Sequence, residues 1–558
     1  MNQKYTVGDY LLDRLSELGI RHMFGVPGDY NLAFLDNVID YEGMAWVGNR
    51  NELNAAYAAD GYARLNGIAA LATTYGVGEL SAINGIAGSY AEHVPVVKIT
   101  GAPTTKVMED GLYVHHTLGD GKFDHFSRMF QEVTVAQTLL SQENAAQEID
   151  RVLLACLTEK RPVHITLPID VYDKPANKPT IPLHDEVAVS NQEAINQMLS
   201  EITPLIDKAT HPVILAGYEV NRYENREALQ QFADKTGIPV TILSGGKGAF
   251  NEEHPQFIGV YNGELSTPYL QKRVDEADCI IQIGAKPTDS TTGGFSYDFS
   301  NKSVIQISPF SVKTTQEKYA PITMQDALVS LASKLNPKNT NDLNIISLQS
   351  QIKQDIYEEK NENITQERFY KQLSKFMKEN DVLLAEQGTS FYGAATMPIP
   401  KDTMFIGQPL WGSIGFTLPA LLGSQLADTS RRNILLIGDG SFQLTAQELS
   451  TMLSQKIKPI IFLINNDGYT VERAIHGENQ AYNDIPMWDY QKLAKVFDPK
   501  EKSLSLKVQT ESELAEALQT IESNQDCLSF IEVIMHRDDK PDLLEQLSKR
   551  FANQNASK

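Results

Sequence analysis

Two short polar motifs separated by one helix-and-strand unit are the residues of this chain best suited to chemistry. The first, GDG, spans residues 438–440, and the second, NNDG, spans residues 465–468. A right-handed crossover between parallel strands places both motifs at the same edge of a sheet, so the Asp439 carboxylate and the Asn466 amide can converge. With the free carbonyl of Gly468, they offer the oxygen ligands that a hard cation such as Mg²⁺ prefers.

The glycines of the first motif predict a phosphate group beside this cation. They let the backbone approach phosphate oxygens, and the helix predicted over residues 446–453 begins close enough to offer N–H groups to an anion. The loop contains no lysine, so it is not a nucleotide P-loop. Either motif alone is typical of an ordinary turn, whereas the pair favours a metal and diphosphate site.

Several other polar side chains stand where apolar packing does not explain them. Glu52 follows a strand-like segment and begins a predicted helix, Asp29 lies in a Gly/Pro turn, and His115 and His116 are adjacent in a loop. Glu472 closely follows the second motif. Each has an ordinary explanation, as a helix-start acid, a turn former or a solvated loop residue. Histidine and carboxyl groups are also the usual carriers of protons in catalysis.

The elements that must position these residues alternate between short apolar runs and amphipathic stretches. This rhythm predicts βαβ units and an α/β fold with parallel sheets flanked by helices. Polar, Pro-containing segments at residues 174–189 and 334–342 read as linkers, so we predict three domains, at residues 1–185, 186–345 and 346–558. The predicted strands cover residues 69–75, 95–101, 162–167, 212–217, 239–244, 279–284, 303–307, 433–438 and 459–465.

The first and third domains share one spacing between predicted strands, which is weak evidence of an internal repeat. Leu71 and Val97 lie in strands on either side of a predicted helix, and Leu435 and Ile461 have the same separation. The two domains are therefore candidates for a shared topology, although any βαβ unit tends toward this length.

Composition excludes several classes of protein. The 558 residues carry a net charge of −22, which disfavours a nucleic-acid partner, and no apolar run approaches the length of a membrane span. The three cysteines are scattered, which excludes a disulfide scaffold. The first residues show no basic segment followed by an apolar stretch, so we expect no secretory signal and a cytoplasmic protein.

The GDGS and NN motifs at this spacing resemble the diphosphate-binding motif of thiamin-diphosphate enzymes. Nearly the whole chain is similar to the non-oxidative 2-oxo-acid decarboxylases, which release CO₂ and an aldehyde from a 2-oxo acid through a thiamin-bound enamine. The resemblance implies thiamin diphosphate and Mg²⁺ as cofactors, a homodimer as the smallest active unit and a homotetramer as the assembly. It implies metal ligation by Asp439, Asn466 and Gly468, and cofactor contacts from Glu52, Gln387, Gly388, Ile414, Gly438, Gly440 and Ser441.

The same resemblance assigns catalytic roles. Glu52 would bond to the aminopyrimidine ring of the cofactor, and Ile414 would hold the two cofactor rings in a bent conformation that favours reaction. The family's proton relay would consist of Asp29, His115, His116 and Glu472.

The resemblance also places four residues in the wall of the substrate pocket. Ser290 and Val471 are smaller than their counterparts in pyruvate-specific relatives, so they leave room for a branched or aromatic tail. Phe391, which with Gln387 completes the wall, resembles the branched-chain enzymes. We therefore predict a bacterial-type branched-chain 2-oxo-acid decarboxylase that also accepts phenylpyruvate.

Other functions stay open at this point. The protein could be a pyruvate or indolepyruvate decarboxylase, an acetolactate-synthase-type transferase, or a non-catalytic thiamin-binding module. The His pair and Glu472 argue against the transferase.

Overall fold

Three β-sheets, one in each third of the chain, organise this computed structural model, which describes residues 5–183, 189–339, 343–352, 357–498, 500 and 503–556. The first sheet contains β1 (His22–Gly25), β2 (Ala45–Gly48), β3 (Ala69–Thr74), β4 (Val96–Ala102), β5 (Ala136–Leu139) and β6 (Val163–Pro168). The central sheet contains β7 (Pro212–Ala216), β8 (Val240–Leu243), β9 (Phe257–Tyr261), β10 (Cys279–Ile283), β11 (Ser303–Ser308), β12 (Ser311–Lys313) and β13 (Lys318–Tyr319). The third contains β14 (Val382–Ala385), β15 (Met404–Ile406), β16 (Asn433–Gly438), β17 (Ile460–Asn465), β18 (Leu504–Val508) and β19 (Ser529–Ile534).

Helices flank each sheet. Those of the first domain are α1 (Val7–Glu17), α2 (Leu32–Asp40), α3 (Glu52–Asn66), α4 (Val77–Ala91), α5 (Thr105–Glu109), α6 (His125–Gln131) and α7 (Ala145–Glu159). The central helices are α8 (Gln192–Lys208), α9 (Glu219–Arg222), α10 (Arg226–Thr236), α11 (Pro268–Asp275), α12 (Met324–Lys334) and α13 (Leu348–Ile352). The third group is α14 (Gln366–Phe376), α15 (Thr389–Thr396), α16 (Thr417–Ala427), α17 (Asp439–Thr445), α18 (Glu448–Ser454), α19 (Thr470–His476), α20 (Tyr490–Phe497), α21 (Glu511–Ser523) and α22 (Asp542–Ala556).

The first and third sheets have the same topology. Their orders are β2-β1-β3-β4-β6-β5 and β15-β14-β16-β17-β19-β18, and every neighbouring pair in both sheets is parallel. The predicted α/β fold and the shared topology are thus confirmed. The central sheet, ordered β13-β12-β11-β10-β7-β8-β9, is parallel except for the antiparallel edge strands β12 and β13.

Each of the nine predicted strands is present within a residue or two of its predicted bounds. The helix predicted over residues 446–453 is present as α18, which begins at Glu448, and a separate short helix, α17, precedes it and begins at Asp439 itself. The domain boundary predicted at residue 185 lies outside the described residues. The boundary near residue 345 falls between α12 and α13 and stays a prediction.

Two helices made largely of small residues join the first domain to the third. A Cβ atom on Gly61 of α3 would come within 2.1 Å of the Ala420 carbonyl oxygen in α16, and one on Gly423 would come within 1.8 Å of the Ala58 carbonyl oxygen. Glycine at these positions permits the two backbones to touch. This crossing holds the beginning of α3, where Glu52 lies, against the third domain.

Within the described part of the chain, no helix combines the length and the apolar character needed to cross a lipid bilayer.

Candidate active site

The predicted site residues follow the carboxyl ends of parallel strands, where open α/β sheets bind ligands. In the first domain, Asp29 and Glu52 follow β1 and β2. In the third, Gln387 follows β14, Asp439 follows β16 and Asn466 follows β17. The topology of the first and third sheets therefore places these residues in two groups, one at the carboxyl edge of each of these two sheets.

Three oxygen atoms converge between β16 and β17. The Asn466 side-chain amide atom that faces Asp439 lies 3.3 Å from Asp439 Oδ1 and 3.3 Å from the Gly468 carbonyl oxygen. The Thr470 hydroxyl donates to the Arg537 carbonyl at 2.9 Å, so its oxygen accepts from Asn466 Nδ2, also at 2.9 Å. This bond fixes the amide so that its oxygen faces the other two. Three acceptors with no hydrogen between them suit a cation.

Asp439 is fully buried, and its carboxylate accepts from the backbone N–H groups of Gly440 at 2.8 Å and Gly468 at 3.0 Å. Burial raises the pKa of Asp439 to about 6, and these two bonds oppose the rise. A buried carboxylate held by backbone donors alone favours a positive ligand, because a charge removed from water requires a partner.

A cavity of about 340 Å³ opens beside these oxygens. Its wall includes all three predicted metal ligands and most of the other residues predicted for the cofactor and substrate. These are Ser290, Gln387, Gly388, Ile414, Gly438, Asp439, Gly440, Ser441, Asn466, Gly468, Val471 and Glu472.

Two glycines of the cavity wall stand at positions where a larger side chain would disturb the fold. A Cβ atom on Gly440 would come within 2.5 Å of the Tyr469 ring, so a side chain there would displace that ring. Gly388 has a φ of 124°, a conformation that glycine adopts without strain. The structure thus gives a physical reason for the predicted glycines.

Phe391 does not line the cavity, unlike the other three residues predicted for the substrate wall. It is fully buried behind Tyr392, with its ring centroid 5.8 Å from that of Phe405. Because residue 391 lies on the inner face of α15, the adjacent Tyr392 reaches the cavity in its place.

The C-terminal helix α22, to which no sequence motif pointed, closes one side of the cavity. Leu544, Leu547 and Phe551 form its apolar contribution to the wall. Arg550 ties the helix to the central domain, because it pairs with Glu264 and donates to the Gly293 carbonyl. The apolar spacing of DLLEQLSKRF predicts a helix with one buried face, but contains no information about which cavity that face covers.

The four predicted catalytic residues of the first domain do not line this cavity. Three of them form a cluster, in which His115 Nε2 lies 2.5 Å from Asp29 Oδ2 and His116 Nε2 lies 3.5 Å from Asp29 Oδ1. The Tyr30 ring stacks on the His115 ring with centroids 4.9 Å apart. All three side chains are partly exposed, so the cluster can exchange protons with solvent or with a ligand on this face.

Glu52 is the first residue of α3, and a buried glutamate of the third domain holds this end of the helix. Glu448 accepts from Asn49 Nδ2 at 2.8 Å and from Asn54 Nδ2 at 2.7 Å. No sequence motif indicates this role for Glu448, since its partners are several hundred residues away along the chain. The contact fixes where Glu52 emerges from the sheet edge.

Two further carboxyl groups of the third domain have altered acidity. Partial desolvation at the cavity raises the pKa of Glu472. Complete burial raises the pKa of Glu386 to about 7, although it accepts from the Thr417 N–H and hydroxyl groups. Glu386 does not line the cavity; it joins the turn that contains Gln387 to the start of α16.

Sequence comparison agrees with this architecture. Three thiamine pyrophosphate enzyme domains match in order: the N-terminal TPP binding domain at residues 5–127, the central domain at residues 199–334 and the C-terminal TPP binding domain at residues 388–533. Fold and site therefore define a thiamine pyrophosphate (thiamin diphosphate) enzyme.

Curated relatives narrow the class. An alpha-keto-acid decarboxylase from Mycolicibacterium paratuberculosis is 42% identical over 544 residues, which cover 97% of this chain and 96% of the relative. Proteins of the same name are 41% identical over 99% of this chain in Mycobacterium tuberculosis, with 98% of the relative covered, and in Mycobacterium leprae, with 96% covered. This chain belongs to the alpha-keto-acid decarboxylase family.

Proposed function

We propose that this enzyme converts branched-chain 2-oxo acids to aldehydes and CO₂, also accepts phenylpyruvate, and uses pyruvate poorly. Decarboxylation of a 2-oxo acid by a thiamin-diphosphate-dependent carboxy-lyase follows from its family. The substrate preference rests on one observation, the small and apolar side chains in the cavity wall. There Ser290 and Val471 are small, and Leu544, Leu547 and Phe551 offer an apolar surface to a substrate tail. Apolar pockets discriminate such tails mainly by volume.

We assign Mg²⁺ to Asp439 Oδ1, Asn466 Oδ1 and the Gly468 carbonyl, with the cofactor diphosphate as its further ligand. The convergence of three acceptor oxygens supports this assignment, as does the buried Asp439 carboxylate. Gly438, Gly440 and Ser441 line the same part of the cavity and can approach the diphosphate through their backbones. When bound, thiamin diphosphate supplies the carbon nucleophile and the electron sink for loss of CO₂.

The remaining residues would orient the cofactor and handle protons. Glu52 would hold a proton between its carboxyl group and the aminopyrimidine ring. Ile414 lines the cavity wall and would separate the two cofactor rings, while Gln387 and Gly388 would contact them. Conversion of a 2-oxo acid anion to aldehyde and CO₂ consumes one proton. Glu472, whose pKa is raised, can keep that proton in the cavity, and the Asp29, His115 and His116 cluster can replace it.

This mechanism requires a second copy of the chain. Within one chain, residues of the third domain, including α22, form most of the cavity wall, and Asp289 and Ser290 come from the central domain. Glu52 and the histidine cluster lie outside this cavity. Leu410, Trp411, Ile414 and Leu444 are exposed apolar side chains near the cavity, and such patches mark protein interfaces. We propose that the first domain of a partner completes the cavity, so that a homodimer is the smallest active unit and a homotetramer the assembly.

We also propose a cytoplasmic location. The three cysteines are free thiols, two of them buried, as is usual for proteins of a reducing compartment.

Specificity constants for pyruvate, 2-oxoisovalerate, 2-oxoisocaproate, phenylpyruvate and indolepyruvate test the substrate proposal. Each assay is run with and without thiamin diphosphate and Mg²⁺, and aldehyde release is measured. We expect the two branched-chain acids to have the highest values and activity to require both cofactors. A higher value for pyruvate or indolepyruvate would contradict the assigned preference.

A further inference from the structure

The cluster of Asp29, His115 and His116 has the composition of a metal site, which the function proposed above does not use. One nitrogen of each imidazole ring and one carboxylate oxygen lie within 4.8 Å of one another. Among the residues that the structure describes, this is the only group of three or more His, Cys, Asp or Glu side chains whose ligand atoms converge in this way. The cluster therefore offers a second place for a cation, outside the cavity that contains Asp439.

The kinds of ligand atom decide which ions this cluster would bind. Two imidazole nitrogens and a carboxylate oxygen suit Zn²⁺ and similar transition-metal ions. Mg²⁺ instead prefers oxygen ligands alone, such as those that Asp439, Asn466 and Gly468 offer. The two sites would thus take different ions from one solution.

Asp29 faces both rings, one with each carboxylate oxygen. His115 Nε2 is 2.5 Å from Asp29 Oδ2, and His116 Nε2 is 3.5 Å from Asp29 Oδ1. Bonds of about 2.0–2.2 Å to Zn²⁺ require neighbouring ligand atoms to be about 3–4 Å apart. Movements of about 1 Å therefore suffice to enclose the ion. The side chains can make them, because 29–59% of each side chain is exposed.

The backbone keeps the two rings close together. Adjacent side chains of an extended chain point in opposite directions, but the ring centroids of His115 and His116 are only 4.6 Å apart. His116 has a φ of 63°, a left-handed conformation that is uncommon outside glycine. A Cβ atom on Gly76 would lie 1.9 Å from the His116 carbonyl oxygen, so the turn before α4 is in backbone contact with this residue. The rings are therefore held near Asp29 before an ion binds.

Tyr30 orients the His115 ring. The two rings stack with centroids 4.9 Å apart, and the Tyr30 hydroxyl donates to the His115 carbonyl at 3.4 Å. The same hydroxyl lies 3.5 Å from His115 Nδ1 and can accept its hydrogen. Metal-binding histidines usually donate their second N–H group to such a partner, which leaves the other nitrogen for the metal. In His115 that nitrogen is Nε2, which faces Asp29.

We propose that Asp29, His115 and His116 form an inhibitory site for Zn²⁺ or a similar transition-metal ion. The ion would bind Nε2 of His115, a nitrogen of His116 and a carboxylate oxygen of Asp29, and the hydrogen between His115 and Asp29 would pass to solvent. These are the atoms that would carry the proton during the reaction, so the bound ion would stop the supply of protons. The metal site rests on the geometry of the cluster, whereas the inhibition rests on the proton role proposed above.

Zinc binding to the holoenzyme tests the site. The enzyme is saturated with thiamin diphosphate and Mg²⁺, and Zn²⁺ is then added in a calorimeter and, separately, in an assay of aldehyde release. We expect one Zn²⁺ to bind per chain in the presence of saturating Mg²⁺, with a parallel loss of activity that a zinc chelator restores. Co²⁺ in place of Zn²⁺ should give the visible absorption spectrum of an ion with histidine ligands.

His115→Gln, His116→Gln and Asp29→Asn each remove one ligand. Changes to the partners of metal ligands cost about 10–100-fold in metal affinity, so loss of a ligand itself should weaken Zn²⁺ binding at least about a hundredfold. His125→Gln is the matched control, because it removes a histidine of the same domain that pairs with one acid, Asp120, at 2.7 Å. The control should keep both Zn²⁺ binding and inhibition by Zn²⁺.

Asp439→Asn shows which of the two sites the ion occupies. This variant lacks the charged ligand proposed for Mg²⁺, so its affinity for Zn²⁺ should equal that of the wild-type enzyme. Loss of Zn²⁺ binding in Asp439→Asn would overturn the inference, and so would wild-type binding in His115→Gln or equal weakening in His125→Gln.

The binding and activity measurements separate this inference from the proposed function. Zn²⁺ bound at the cluster with unchanged activity would reject the proton role proposed above and the inhibition with it. A wild-type enzyme that binds no Zn²⁺, together with an inactive His115→Gln enzyme, would reject the metal site and leave the proposed function intact.

Discussion

Asp439 gains its chemical character from its surroundings rather than from its residue type. It is fully buried and receives two backbone hydrogen bonds, and its carboxylate faces two other oxygen atoms. Burial raises its pKa to about 6, because the ionised carboxylate is poorly solvated there. A bound metal ion would compensate for this loss of solvation. The role proposed for Ser290 is the opposite case, because it depends on the space that this small side chain leaves free in the cavity wall.

Mg²⁺ affinity should depend on the protonation of Asp439. Below pH 6 the raised pKa leaves the carboxyl group protonated, so Mg²⁺ binding must release a proton and should weaken about tenfold for each further pH unit. Above pH 6 the affinity should be nearly constant. Titration calorimetry with thiamin diphosphate present, between pH 5 and about pH 8, measures this dependence.

Asp439→Asn should lose both the Mg²⁺ affinity and its pH dependence while it keeps the fold. Asp467→Asn is the control, since Asp467 is an exposed acid of the same turn and does not line the cavity. Retention of both cofactors by dialysed Asp439→Asn would show that the metal is held elsewhere.

Ser290→Phe should penalise large substrates selectively. A ring inserted into a fitted pocket costs about 1–3 kcal/mol, and each 1.4 kcal/mol is about tenfold in specificity constant. We expect the ratio of kcat/KM for 2-oxoisocaproate to that for pyruvate to fall about ten- to a hundredfold, with cofactor affinity unchanged. Ser300→Phe, at an exposed position of the same segment, is the control. Equal losses for both substrates would mean that Ser290 supports the site in general.

Among the elements, α22 contributes directly to the cavity, although it is far along the chain from the other residues of the cavity wall. Its apolar side chains form part of the wall. Two contacts of Arg550 hold it to the central domain, which also contributes Ser290. The proposed pocket for the substrate tail thus depends on packing between the third and central domains.

Arg550→Ala should loosen α22 and weaken binding of apolar substrates. Partly exposed ion pairs contribute about 0–1 kcal/mol, so the KM for 2-oxoisocaproate should rise up to about fivefold, with a smaller change in kcat. Lys549→Ala, which removes an exposed ion pair within the same helix, should leave KM unchanged. An unchanged KM in Arg550→Ala would indicate that apolar packing alone positions the helix.

At the scale of the whole molecule, the first and third domains repeat one topology and are joined by the crossing of α3 and α16. Each sheet presents half of the proposed machinery at its carboxyl edge. The first carries Glu52 and the histidine cluster, and the third carries the oxygen cluster and the cavity. Within one chain the first half does not line that cavity. A second copy can bring the two halves together.

Hybrid dimers test this arrangement. Glu52→Gln and Asp439→Ala subunits should each be inactive alone. After mixing under conditions that allow subunit exchange, hybrids contain one intact site, and a complete random exchange should restore about a quarter of wild-type activity. After random exchange half of the dimers are hybrids, and one of the two sites in each hybrid is intact. An active enzyme that light scattering shows to be a monomer under assay conditions would contradict the proposal.

Local sequence pattern was sufficient for much of the fold. Strands such as Asn433–Gly438 are continuous apolar runs bounded by turn residues, and their order along the chain limits the topology to parallel crossovers. The equal spacing of two strand pairs was enough to suggest the topology that the first and third domains share. Motif chemistry likewise placed Asp439 and Asn466 together, because a single βαβ unit determines their proximity.

Contacts between distant segments could not be read in this way. The packing of α22 on the cavity, the packing of Phe391 against Phe405 and the contact of Glu448 with the start of α3 all join residues that local patterns treat separately. Lys98 is the clearest case. A lysine in a strand suggests an exposed position, yet Lys98 on β4 is completely buried. Periodicity determines which face of an element is apolar, but the partner of that face, and the charge of a group buried against it, depend on how the whole chain packs.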